Sequence, residues 1–117
     1  RYCAGAHGAT AAHRLGGDFA LVEAVQSDLA TAPVTDLQRA LLQLAGKVAE
    51  SGLSVTPEDV AAAKAAGADD EAVHDTVLIA AAFCMYNRYV DGLAALTPDD
   101  PAAYRAIGAH LAANGYL

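Results

Sequence analysis

Cys3 and His7 stand four residues apart in a stretch, Cys3-Ala4-Gly5-Ala6-His7, whose composition reads as helix. At 3.6 residues per turn the two side chains lie about 40° apart around the axis, on one face. A thiol is a poor nucleophile until it loses its proton, and a neighbouring imidazole and a helix N-terminus both promote that loss. Both act on Cys3 if it occupies the first helical turn, near the positive end of the helix dipole. The small residues Ala4, Gly5, Ala6, Gly8 and Ala9 are expected to leave sulfur and ring uncovered, open to a second helix or a small substrate. Two glycines within four residues cost helix stability, which implies that close approach matters there. The same spacing also fits a small buried cysteine with a histidine one turn away.

The other reactive side chains read more plainly. Cys84 falls inside an apolar run and reads as a core cysteine, among the most buried residue types. A disulfide between Cys84 and Cys3 would demand a particular geometry. Four histidines (His7, His13, His74 and His110) raise the question of a metal, but no Cys-x-x-Cys or His-x-x-x-His pair is present. His13 is placed well off the face of His7, and His74 and His110 read as helix-surface or interface residues. Arg88 and Asp91, three apart, fit a helix ion pair. Glu23, Glu50 and Glu58 read as solvated surface.

Six helical segments must position these groups. The first runs from about Cys3 to Leu15 and stops at Gly16-Gly17. A second begins at Asp18, carries Phe19, Leu21, Val22, Val25 and Leu29, and ends before Pro33. The third starts at Thr35 or Asp36 and aligns Leu37, Leu41, Leu44 and Val48 on one face, closing at Ser51-Gly52. Thr56-Pro57-Glu58-Asp59 opens the fourth with a hydroxyl cap, a first-position proline and acids in the first turn. It ends at Gly67. Asp69 and Asp70 open the longest, from about Glu71 to Leu96, whose middle, Val77 to Met85, is apolar on every side. A helix apolar all round is expected at the centre of the fold. The last runs from Asp99-Asp100-Pro101 to Asn114-Gly115. No segment alternates with period two.

Composition agrees with an all-α domain. Alanine supplies 30 of the 117 residues, and alanine loses no side-chain entropy in a helix. The length fits a single domain, residues 1–117, large enough to bury a core. A net charge of −7 argues against nucleic acid and anionic membrane surfaces as partners. The longest apolar run is nine residues, against the roughly 20 that a bilayer span needs. With no secretory signal visible, a cytoplasmic protein is expected.

Arg1-Tyr2-Cys3-Ala4-Gly5-Ala6-His7-Gly8 resembles the second half of the Cys-x-x-Cys-x-x-x-His signature of alkylhydroperoxidase D-like proteins, in the carboxymuconolactone decarboxylase superfamily. Val55-Thr56-Pro57-Glu58-Asp59-Val60, the Gly67-Ala68-Asp69-Asp70-Glu71 junction and the segment Phe83 to Leu93 are also similar to the peroxidase-related branch. The resemblance implies a compact orthogonal bundle of about six helices and a haem-free thiol peroxidase with neither cofactor nor metal. It makes Cys3 the peroxidatic thiol that attacks a small hydroperoxide and becomes a sulfenic acid. His7 matches the histidine that relays protons. A thiol electron donor, lipoyl-bearing or thioredoxin-like, and a homo-oligomeric assembly are implied as partners.

Two parts of the family's site do not occur in this sequence. The first signature cysteine would precede Arg1, and the relay glutamate lies further upstream in the family. The chain therefore reads as the C-terminal part of something longer. Two other activities fit the residues: a carboxymuconolactone decarboxylase-like lyase, which needs no cysteine pair, and a catalytically silent oligomeric module with a vestigial thiol.

Overall fold

Each helix of the fold begins or ends where the local chemistry dictates. In the computed structural model, which describes residues 2–116, the elements are α1 (Tyr2–Arg14), α2 (Phe19–Ser27), α3 (Asp36–Glu50), α4 (Pro57–Ala65), α5 (Asp70–Gly92) and α6 (Pro101–Asn114). A 3-10 turn, Gly52–Ser54, follows α3, and no strand occurs among the described residues. The all-α expectation is met. Thr35, rather than Asp36, caps α3: its hydroxyl accepts the Gln38 N–H, while the Gln38 side chain accepts the Thr35 N–H. Thr56 and Asp59 form the same reciprocal box ahead of α4, with Pro57 in the first turn. Asp18, Asp69 and Asp100 cap α2, α5 and α6. The glycine stop after α1 holds, with Gly16 at φ 75 and the Gly17 N–H donating back to the Ala12 carbonyl at 2.8 Å.

Two boundaries differ from expectation. The longest helix ends at Gly92, not near Leu96, because Ala94 adopts φ 49 and the Ala95 N–H turns back to the Val90 carbonyl at 3.1 Å. Alanine at a position that normally selects glycine hides this stop from a sequence reading. α2 ends at Ser27, before Leu29. Asp28 then folds the chain into a turn, its carboxylate accepting the Ala30 N–H at 3.0 Å and the Thr31 hydroxyl at 2.8 Å. Arg39 holds that connection from α3: its guanidinium donates to the carbonyls of Leu29, Ala30, Ala32 and Val34.

The expected centre of the fold is also displaced. α5 packs on α3 and α4, and only Ala80 on it is buried. Leu78, Ile79, Met85, Tyr86 and Tyr89 are each more than half exposed. An all-round apolar helix is thus covered on one side and bare on the other. The most buried helix is α1, whose Cys3, Ala6, Ala9 and Ala12 recur every third residue and face α6 and α2. Small side chains let the backbones close in. Gly108 of α6 sits so near α1 that a Cβ there would lie 2.5 Å from the Ala9 Cβ. Gly5 likewise admits the Tyr104 ring, which a Cβ would meet at 2.8 Å. Lys47 ties α3 to α4 by donating to both Asp59 carboxylate oxygens, at 2.6 and 2.7 Å.

Candidate functional site

α1 delivers Cys3 and His7 to one place. Both line an apolar cavity of about 470 Å³ between α1 and α5, together with Tyr2, Ile79, Ala82, Phe83, Tyr86, Val90 and Tyr116. A second recess, about 460 Å³, borders the same pair from a more polar side formed by Gln26, Asn87 and Asp91. The helical spacing therefore brings both side chains to the lining of one cavity. Arg1, the first residue of the segment that carries the resemblance, lies outside the described residues.

The details depart from an open, primed thiol. Cys3 is only 6 % exposed, so the small residues around it do not leave it uncovered. The thiol makes no hydrogen bond among the described residues. His7 turns its Nδ1 to the Cys3 backbone carbonyl at 2.9 Å, within its own helix. A carbonyl only accepts, so Nδ1 carries the proton. Nε2 meets the hydroxyl of Tyr116. The Phe83 ring stands edge-on to the imidazole with centroids 4.7 Å apart. His7 is thus held on three sides, and among the described residues none of its hydrogen bonds goes to the Cys3 sulfur.

The remaining candidates lie elsewhere. Cys84 faces α3, its thiol directed at the Ala49 carbonyl at 3.9 Å, and both cysteines are free. His13 reaches the Arg105 carbonyl at 3.2 Å and stacks edge-on against Phe19, which also carries the Arg105 guanidinium over its face at 4.8 Å. His74 pairs with Asp75, and His110 contacts Asn114, both on exposed surface. Arg88 does not pair with Asp91; its guanidinium donates to the Cys84 carbonyl one turn back at 3.2 Å. Glu23, Glu50 and Glu58 are exposed as expected. No group of three His, Cys, Asp or Glu side chains is arranged to hold a metal ion among the described residues.

Three carboxyls have pKa values displaced from the ordinary ones, all remote from Cys3. The Lys47 ammonium, aided by the Thr56 backbone N–H, holds Asp59 below its usual value. Lys64 does the same to Asp70. Backbone and Thr56 hydroxyl hydrogen bonds lower Glu58. These groups fasten α3, α4 and α5 and have no part in the site.

Tyr116, Phe83 and Asn87 are the site neighbours that the sequence did not single out, and Asp91, read there as an ion-pair partner of Arg88, borders the recess instead. Tyr116 lies 109 residues from His7, so no local spacing links them. Phe83 sat in the apolar run, where it reads as core. No helix is long and apolar enough to cross a membrane among the described residues. No family model, curated protein or solved structure matches the chain.

Proposed function

We propose that this chain is a thiol-dependent peroxidase of the alkylhydroperoxidase D-like kind, with Cys3 as the attacking thiol and His7 as its proton partner. The observation that supports this reading most is the convergence of Cys3 and His7 on one apolar cavity large enough for a small organic molecule. In the reaction, the Cys3 thiolate forms a bond to the distal peroxide oxygen as the O–O bond breaks. The leaving alkoxide takes a proton to become an alcohol, and Cys3 is oxidised to a sulfenic acid. A thiol donor then condenses with the sulfenic acid, releasing water and leaving a disulfide that a second thiol reduces. Such a cycle belongs in a reducing compartment, which favours a cytoplasmic location.

Homo-oligomerisation through α5 is part of the same reading. The protein exposes 7589 Å², about 1,600 Å² more than the roughly 5,950 Å² that mass scaling gives for a folded monomer of 11.9 kDa. That excess falls within the range an obligate subunit interface covers, on the order of 1,000–2,500 Å² per partner. The bare row of Leu78, Ile79, Met85, Tyr86 and Tyr89 supplies the apolar area. The same face, with the burial of Cys3, favours a second reading: a helical assembly module in which the thiol is silent.

Peroxide consumption separates the two. One equivalent of cumene hydroperoxide consumed per chain in a single turnover, lost in Cys3→Ser, is the outcome the peroxidase reading requires. No consumption by an intact oligomer leaves the silent module.

A further inference from the structure

His7 has a single accepting nitrogen, and Tyr116 occupies it. With Nδ1 donating to the Cys3 carbonyl at 2.9 Å, the neutral ring keeps its lone pair on Nε2. The Tyr116 hydroxyl donates to that lone pair. Phe83, edge-on at 4.7 Å, blocks the ring on another side. Yet Tyr116 holds no core together. It is 78 % exposed and follows the turn residue Gly115 at φ 70, and its hydroxyl meets the His7 ring. It also stands between the Cys3 cavity and a neighbouring recess of about 390 Å³ bounded by Ala6, Ile107 and Leu111, which gives its ring somewhere to go.

We infer that Tyr116 is a positioning residue that gates the basicity of His7. While its hydroxyl sits on Nε2, His7 cannot take the Cys3 proton. When the turn after α6 swings out, Nε2 is free to take the Cys3 proton through the cavity that both side chains line, leaving thiolate and imidazolium. The inference rests on Cys3 and His7 being the reacting pair.

Tyr116→Phe keeps the ring and deletes the hydroxyl, so it separates gating from cover. Site-resolved alkylation of Cys3 by iodoacetamide at pH 7, read by mass spectrometry, is expected to accelerate about 2- to 10-fold, the range one neutral hydrogen bond spans. The acceleration is expected to vanish in a His7→Gln background, since the hydroxyl acts through that ring. The imidazole ¹⁵N spectrum is expected to show the His7 Nε2 resonance moving while Nδ1 stays protonated. A wild-type alkylation rate in Tyr116→Phe overturns the inference, as does an acceleration that persists without His7 or an unmoved Nε2 resonance. None of these measurements uses peroxide. A positive result in a chain that consumes no peroxide therefore keeps the gate and removes the peroxidase reading.

Discussion

Replacing Gly108 by alanine tests the contact on which the site's geometry depends. The new Cβ would lie 2.5 Å from the Ala9 Cβ, 2.6 Å from the Ala9 carbonyl carbon and 2.8 Å from the Thr10 nitrogen. Carbon atoms in contact rest about 3.5–4.0 Å apart, so α1 and α6 must separate by roughly 1 Å. Two of the three obstacles are main chain and cannot rotate away. Overpacking of this kind costs about 1–3 kcal/mol, and the upper part of that range applies to a backbone obstacle. Alanine is better than glycine inside a helix by about 1 kcal/mol. The net expectation is a loss of about 1–2 kcal/mol, on the order of 4–8 °C in Tm for a domain of this size. Gly8→Ala is the control. Its Cβ would meet the Gln26 Nε2 at 2.9 Å, the far end of a flexible exposed side chain, so the propensity gain should survive. Circular dichroism during thermal and urea denaturation reads both variants. Gly108→Ala as stable as wild type, or indistinguishable from Gly8→Ala, would refute a tight α1–α6 contact.

Other consequences can be measured on the same material. Arg39→Ala strips the donors from four carbonyls of the α2–α3 connection and should cost about 2 kcal/mol or more in urea denaturation, with Arg39→Lys recovering only part because an ammonium cannot span the fork. Ala94→Gly relieves a left-handed alanine at φ 49 and should stabilise by up to about 1 kcal/mol, read as a raised urea midpoint. Asp59, Asp70 and Glu58 titrate below their ordinary values of 3.8, 3.8 and 4.5, so the unfolded chain binds more protons than the native one in that range. Their contribution is complete above those values and is lost as pH falls through the lowered native ones. A urea midpoint that drops below about pH 4.5, with a shallower drop in Asp59→Asn and in high salt, checks the sign.

The chain's local rules carried most of the fold. Caps at Thr35, Thr56, Asp69 and Asp100, and the Gly16-Gly17 stop, set element edges that depend on the few residues around them. What could not be read was which face meets which. The nine apolar residues from Val77 to Met85 looked central, but hydrophobicity says that a face needs covering, not that this chain alone covers it. Gly108 carries no signal in the sequence, yet it is where two backbones meet, whereas Gly8 opposes the Gln26 amide and, at 3.6 Å, a Val22 methyl. The role of Arg39 carries no signal in the sequence, because its four carbonyl partners are fixed by a turn that Asp28 creates. The Cys3–His7 juxtaposition followed from helix geometry alone. Its closure by Tyr116 and Phe83 is tertiary, and the spacing of residues near Cys3 holds no trace of it.

Whether Cys3 is a peroxidatic thiol is tested most directly by trapping its first oxidation product. The protein is reduced, freed of reductant, pulsed with one equivalent of cumene hydroperoxide in the presence of dimedone and analysed by peptide mass spectrometry. The expected result is a dimedone adduct on Cys3, absent from Cys84 and sharply reduced in His7→Gln. A Cys3 that stays a thiol while free cysteine at the same concentration is oxidised would contradict the peroxidase reading.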